Sequence, residues 1–138
     1  MSYLQRKQLD RILTLLNPRK FTHGSCVGSD HQAHKIAVRH NLTIEIFPCD
    51  LAHMQVKLKA AIIHPIQRPL DRNRDIVAAG DILLATPKEF SEIDRSGVWA
   101  TVRYARKAGI PIVIILPDGK ISIEGNVPQL LVRKSSDN

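Results

Sequence analysis

Hydrophobic positions follow two spacings along the chain, and these predict helices and strands in turn. Apolar residues recur every three or four positions in 2–17, 30–39 and 97–108, which is the spacing of amphipathic helices. Short β-branched runs predict strands at 20–23, 42–47, 81–87 and 112–116. Because strands alternate with helices, we predict an α/β fold. It is expected to be a three-layer Rossmann-like sandwich with a mostly parallel sheet of four to five strands.

The ends of several elements carry recognisable signals. Ser2 is expected to cap the first helix, and Asn17-Pro18 to stop it. Helical character is expected from Met54 to Ile63, and Asp71 or Asn73 is expected to cap a helix that Gly80 ends. An edge strand is expected at 121–124, and residues 134–138 are expected to fray. No repeat or linker divides the chain, so we predict a single domain over residues 1–138.

The segment from Arg95 to Gly119 combines a polar turn, a helix and a buried strand. Ser96-Gly97 leaves backbone N–H groups at the positive end of the helix dipole, where phosphate is favoured. Arg103, Arg106 and Lys107 lie off the apolar face of this helix, and Gly109 is expected to end it in a left-handed conformation. The run that follows, 112–116, does not alternate and is typical of a strand covered on both faces.

A second glycine-containing turn follows the first predicted strand, in Gly24-Ser-Cys-Val-Gly28. Strand, turn and helix in this order form the phosphate-binding half of a Rossmann-like unit. The spacing Gly24-x-x-x-Gly28 lacks the dinucleotide fingerprint, however. The turn is therefore either a phosphate-binding loop or an ordinary tight turn.

Composition and charge restrict the partners. The chain has 138 residues, 43% apolar and 24% charged, with a formal net charge of +7 and 4% aromatic residues. Scattered basic residues suit an acidic small ligand, and the few aromatic residues argue mildly against single-stranded nucleic acid. No apolar run approaches the roughly 20 residues that span a bilayer, so no membrane partner is expected.

Location and redox state follow from the N-terminal sequence and the cysteines. The segment Met-Ser-Tyr-Leu-Gln-Arg-Lys lacks the apolar core of a signal peptide, so a cytoplasmic location is expected. Cys26 and Cys49 are expected to be thiols, because two cysteines form neither a disulfide framework nor the usual four-ligand zinc site. We expect no metal and no cofactor, and we expect a homo-oligomer.

Three segments in order resemble a known superfamily. They are His23-Gly-Ser-Cys-Val-Gly-Ser-Asp30, then Arg72-Asn-Arg-Asp75 before Asp81-Ile-Leu-Leu-Ala-Thr-Pro87, and finally Arg95-Ser-Gly-Val-Trp-Ala-Thr-Val-Arg103. Together they resemble the SLOG superfamily, which includes the LOG cytokinin-activating phosphoribohydrolases (lysine decarboxylase-like proteins), molybdenum-cofactor carriers and the DNA-processing protein family. The likeness covers roughly residues 18–118.

The resemblance implies a ligand site at the carboxyl ends of the strands. In LOG enzymes a Pro-Gly-Gly-x-Gly-Thr-x-x-Glu segment holds the phosphate and supplies a carboxylate. Gly97 and Thr101 match that segment, whereas Ala100 replaces a glycine, and Arg103 and Tyr104 occupy the acidic positions. Because an arginine there would oppose developing oxocarbenium charge, the departure argues against LOG-type hydrolysis.

Each candidate residue also has a structural explanation. Thr101 is expected to reach phosphate rather than bond a carbonyl one turn back. Trp99 is expected in the core rather than under a base. Asp30 is expected to cap a helix, ahead of binding ribose or acting as a base, and His23 is expected to be structural. The predicted ligand site comprises Gly24, Ser25, Gly28, Asp30, Arg72, Asn73, Pro87, Ser96, Gly97, Trp99 and Thr101.

The leading hypothesis is a carrier or sensor that binds a nucleotide or related phosphorylated small molecule. One alternative is a nucleoside 5′-monophosphate phosphoribohydrolase, an N-glycosidic hydrolase or transferase in which Asp30, Glu92 or Asp94 replaces the missing carboxylate. Another alternative is nucleic-acid binding of the DNA-processing type. The sequence leaves open whether the protein is an enzyme.

Overall fold

A computed structural model describes residues 1–24, 28–49, 58–129 and 131. The helices are α1 (Tyr3–Leu16), α2 (Ser29–Arg39), α3 (Pro69–Ala79) and α4 (Gly97–Ala108). The strands are β1 (Lys20–His23), β2 (Thr43–Ile46), β3 (Ile62–Ile63), β4 (Leu83–Ala85), β5 (Ile112–Ile115) and β6 (Ile121–Glu124). The predicted α/β class is confirmed.

The described strands form two small sheets of three strands each. The first has the order β1-β2-β3 and is parallel throughout, with Lys20 opposite Thr43 and Glu45 opposite Ile62. The second has the order β4-β5-β6, in which β4 and β5 are parallel and β6 is antiparallel to β5. The expected sheet of four to five strands is thus divided in two.

Strand β5 lies at the centre of the hydrophobic core, with all four of its residues buried. Val113 and Ile115 pack in one cluster with side chains of α1 and α2, while Ile112 and Ile114 pack in another with side chains of α3 and α4. Successive side chains of a strand point to opposite faces, so β5 is covered on both. This confirms what its non-alternating sequence predicted.

The ends of α1 and α4 are where the sequence signals placed them. Ser2 accepts a hydrogen bond from the Gln5 backbone N–H, and the Gln5 side chain bonds back to Ser2 in a capping box. Ser96 accepts from the backbone N–H of Trp99, and Gly109 ends α4 with a φ of 73°, a left-handed conformation that glycine adopts without strain.

Three predicted element ends are corrected. The N-cap of α3 is Arg68, because Pro69 suits the first helical position, so Asp71 and Asn73 lie inside the helix. The N-cap of α2 is Gly28, so the expected cap role of Asp30 is wrong. The helix expected from Met54 to Ile63 is absent from its described part, residues 58–63, where Ile62–Ile63 form β3 and 58–61 are irregular; its earlier part lies outside the described residues.

Candidate functional site

A polar cluster forms where β1 and β2 end. The buried Arg72 side chain of α3 donates from Nη1 to the Gly24 carbonyl at 2.8 Å and to the Phe47 carbonyl at 3.3 Å. Its Nε donates to Asn73 Oδ1 at 2.9 Å. The Gly24 N–H in turn donates to Asp30 Oδ2 at 3.1 Å. One guanidinium thereby joins the carboxyl ends of two strands to the start of α3.

Gly24 makes this approach possible. A Cβ atom built on Gly24 would lie 2.1 Å from Arg72 Nη1 and 3.1 Å from Asp30 Oδ2. A contact of 2.1 Å does not occur between non-bonded heavy atoms, so a side chain here would displace the guanidinium. Gly24 thus allows the close packing of Arg72, a structural role whether or not a ligand binds there.

Two buried histidines lie next to this polar cluster. His23 Nε2 and His34 Nδ1 are 2.9 Å apart, and both residues are buried. Burial lowers the pKa of His23 to about 4; the Asp30 carboxylate opposes this shift, while His34 and Arg72 add to it. Burial also lowers the pKa of His34. Since His23 is neutral at physiological pH, the expectation that it is structural agrees with its surroundings.

The start of α4 presents backbone N–H groups to open space. The first helical position is Gly97, and a Cβ atom built on it meets nothing within 4 Å. Ser96 satisfies the N–H of Trp99, whereas the N–H groups of Gly97 and Val98 precede the first helical hydrogen bond, which Ala100 makes to the Ser96 carbonyl. Backbone N–H groups at this position of a helix favour an anion, and Gly97 lines a cleft on the surface.

Other predicted residues near α4 have structural partners. Thr101 Oγ1 donates to the Gly97 carbonyl at 2.9 Å, the alternative to the phosphate contact that was expected. Trp99 is buried in the core, as expected, and its Nε1 donates to Glu89 Oε1 at 3.0 Å. The buried Pro87 offers its carbonyl to the Gln5 side chain at 2.8 Å.

A cleft of about 470 Å³ runs along the exposed side of α4 next to the first turn of α3. Its walls carry three basic residues, one aromatic ring and one aliphatic side chain, together with the first residues of the helix. The lining residues are Leu70, Arg95, Ser96, Gly97, Ala100, Arg103, Tyr104 and Lys107. Its volume lies in the range of small-molecule sites, and the cleft is open to solvent along its length.

Most of this lining was not predicted from the sequence. Arg103 and Lys107 were expected off the apolar face of the helix, and Arg103 and Tyr104 stood out only as departures from the LOG segment. A signal was present, because positions 96, 100, 103 and 107 recur at helical spacing and share one stripe of α4. Arg95 also has a φ of 55°, an uncommon conformation for a residue other than glycine.

Carboxylates already neutralise part of the basic surface. Glu92 lies 2.7 Å from Arg106 Nη1 and 3.1 Å from Arg103 Nη1. The Arg106 guanidinium also binds Glu124 through two nitrogens, at 2.7 and 2.8 Å. Hydrogen bonds from Arg106 and Arg103 lower the pKa of Glu92, and those from Arg106 lower the pKa of Glu124. Arg95 and Lys107 form no ion pair with any described carboxylate.

The predicted site residues therefore fall into two groups. Gly24, Asp30, Arg72 and Asn73 meet at the ends of β1 and β2, while Ser96 and Gly97 line the cleft on α4. The first turn of α3 contacts both groups, because Leu70 lines the cleft and Arg72 donates to the Gly24 carbonyl. Ser25, another predicted ligand residue, and Cys26 lie outside the described residues.

A second ion-pair cluster, on β2, was not expected from the sequence. Glu45 is buried and lies 2.9 Å from Lys20 Nζ and 2.6 Å from His64 Nε2. The His64 ring stacks on Phe47 with 4.0 Å between the ring centroids. Hydrogen bonds from His64 and Lys20 lower the pKa of Glu45. This cluster ties β1, β2 and the end of β3 together.

A second cleft, of about 420 Å³, is lined by residues of β1 and β4 and of the segments that precede these strands. Its walls are mainly apolar, and residues 13–22 and 76–84 contribute most of the lining. In the part of the chain that the structure describes, no group of three histidine, cysteine or acidic residues is placed to hold a metal ion. No described helix is both long enough and apolar enough to cross a bilayer.

A comparison of the chain with protein-family models, with curated proteins and with solved structures finds no match.

Proposed function

We propose that the protein binds a nucleotide or a related phosphorylated small molecule in the cleft along α4, as a carrier or sensor. The observation that carries the proposal is the meeting of an open helix N-terminus with three basic side chains in one cleft. Unpaired N–H groups at Gly97 and Val98 favour an anion, and Arg95, Arg103 and Lys107 supply the positive charge.

The remaining walls suit the uncharged part of such a ligand. Leu70 and Tyr104 offer apolar and aromatic surface beside the basic residues. The Arg74 guanidinium carbon lies 4.9 Å from the centroid of the Tyr104 ring, a cation–π contact that holds the ring in place. A ligand with a phosphate at one end and a flat ring at the other matches this distribution of charge and apolar surface.

Binding without turnover is favoured because two of the three candidate catalytic carboxylates are engaged. Asp30 accepts from the Gly24 N–H, and Glu92 pairs with Arg103 and Arg106. Asp94 is exposed in the loop before α4. A general base or oxocarbenium stabiliser needs a carboxylate directed at the substrate, and paired carboxylates are poorly suited to that task.

We further propose that the chain is a SLOG-type, three-layer Rossmann-like domain. Two observations support this. Strand β5 carries core residues on both faces. The pairs β1–β2 and β4–β5 are parallel, and only β6 is antiparallel to its neighbour among the described strands. A homo-oligomer and a cytoplasmic location also stay predictions. Sedimentation of the purified protein over a range of concentrations tests the first, and fluorescent tagging tests the second.

The binding proposal is tested by calorimetric titration of the folded protein with adenosine 5′-monophosphate, pyrophosphate, inorganic phosphate and adenosine. We expect the monophosphate to bind more tightly than adenosine. Arg95→Gln and Lys107→Gln should each weaken it about two- to fivefold, the effect of one exposed charge. Lys35→Gln, an exposed position on α2, is the control of equal charge and should change nothing.

The same samples separate the other functions. No response of folded protein to any phosphorylated probe would contradict the proposal. Release of free base from the monophosphate, detected by chromatography, would indicate a phosphoribohydrolase instead. Binding to DNA that weakens steeply as salt rises, without binding of small phosphates, would indicate a nucleic-acid protein.

A further inference from the structure

Glu92 pairs with a basic residue that lines the proposed anion site. Its Oε2 lies 3.1 Å from Arg103 Nη1, and Arg103 lines the cleft. Its other oxygen, Oε1, lies 2.7 Å from Arg106 Nη1. Glu92 belongs to the loop between β4 and α4, which also carries Arg95, so the loop contributes both an acidic and a basic group to the same surface.

We propose that the Glu92 carboxylate is an internal competitor for the ligand phosphate, and that binding displaces it from Arg103. This inference rests on the proposed function of the cleft. An ionised carboxylate and a phosphate present similar oxygen acceptors to a guanidinium, so one replaces the other on Arg103 without a new geometry. Glu92 then sets both the affinity of the site and its preference for highly charged anions.

The ion pairs are arranged so that Glu92 can leave at low cost. Arg106 keeps two hydrogen bonds to Glu124 when Glu92 departs, so its charge stays neutralised. Arg103 is different, because Glu92 is its only carboxylate partner among the described residues, and its other bond is a long one of 3.4 Å to the Ile93 carbonyl. All these groups are partly exposed, and exposed ion pairs are weak.

The experiment compares Glu92→Gln with Glu124→Gln. Each substitution adds one positive charge to the same surface, but only Glu92 contacts Arg103. Calorimetric titration with pyrophosphate and with adenosine 5′-monophosphate should show affinity about two- to fivefold higher in Glu92→Gln, shrinking as salt is added. Glu124→Gln should change the affinity less. The gain should be larger for pyrophosphate, which carries more charge.

A third variant tests the route through Arg103. In an Arg103→Gln background the Glu92→Gln substitution should no longer raise the affinity. An equal gain in Glu92→Gln and Glu124→Gln would reduce the effect to net charge and overturn the inference, as would unchanged or weaker binding in Glu92→Gln. These comparisons of affinity can be made only if the unsubstituted protein binds pyrophosphate or adenosine 5′-monophosphate. If no variant binds any of them, the proposed function fails instead.

Discussion

Replacing Gly24 with alanine tests the packing on which the end of the first sheet depends. The added methyl group would lie 2.1 Å from Arg72 Nη1 and 2.7 Å from its Cζ. Non-bonded atoms need about 3.5 Å, so the guanidinium must move by roughly 1 Å or more. The bonds from Arg72 to the carbonyls of Gly24 and Phe47, at 2.8 and 3.3 Å, then stretch or break.

The expected cost follows from those two bonds. Hydrogen bonds to a charged group contribute about 1.5–3 kcal/mol each to stability. Alanine also makes the unfolded chain less flexible than glycine does, which offsets about 0.4–1 kcal/mol of the loss. Gly24 lacks the positive φ that would strain an alanine, so the methyl contact alone decides the outcome. We expect Gly24→Ala to lower the free energy of unfolding by about 2–5 kcal/mol.

The assay is urea unfolding followed by circular dichroism and by fluorescence of the single tryptophan, in a double-mutant cycle. Arg72→Met removes the guanidinium and keeps the apolar part of the side chain. Gly24→Ala should then be close to neutral, giving a coupling of about 2 kcal/mol or more. If Arg72→Met fails to fold, Arg72→Lys serves as the milder background. The same cost in both backgrounds, or no cost in the unsubstituted protein, would refute the reasoning.

Three further substitutions test other parts of the structure. The methyl group of Gly97→Ala meets open space, so urea unfolding should show unchanged stability or a gain of up to about 1 kcal/mol. The same preparation should bind the nucleotide more weakly. Gln5→Ala removes a buried side chain that donates to two backbone carbonyls and accepts from the Ser2 N–H, and it should cost about 2–3 kcal/mol. Gln8→Ala, which removes one bond to the Gly119 carbonyl and one from Arg11, should cost less, and equal costs would argue against this account. The His23 side chain has a pKa of about 4 in the folded protein and about 6.5 in the unfolded chain. Between these pH values only the unfolded chain takes up the proton, so the free energy of unfolding should fall by up to about 3 kcal/mol as the pH drops from 6.5 to 4. His23→Gln should flatten that part of the pH profile, and a profile unchanged by this substitution would show that other groups cause it.

The sequence by itself determined the elements whose signals are local. Ser2 and Gln5 lie three positions apart, and this spacing fixes the capping box at the start of α1. Gly109 fixes the end of α4, and the uninterrupted apolar run of β5 predicted that both of its faces are buried. Such interactions join residues a few positions apart, so the chain encodes them without reference to the rest of the fold.

Only the tertiary structure decided how the candidate residues group. Arg72 reaches the Gly24 carbonyl across 48 positions of sequence, and Arg106 reaches Glu124 across 18. Neither contact has a local signal, because each depends on how helices and strands pack. Packing also divided the expected single site into the Arg72 cluster and the basic cleft, and it gave Asp30 a hydrogen bond to Gly24 in place of a cap. A charged side chain acquires its role from the partners that the fold brings to it, and sequence spacing specifies those partners only within a helical turn or a tight loop.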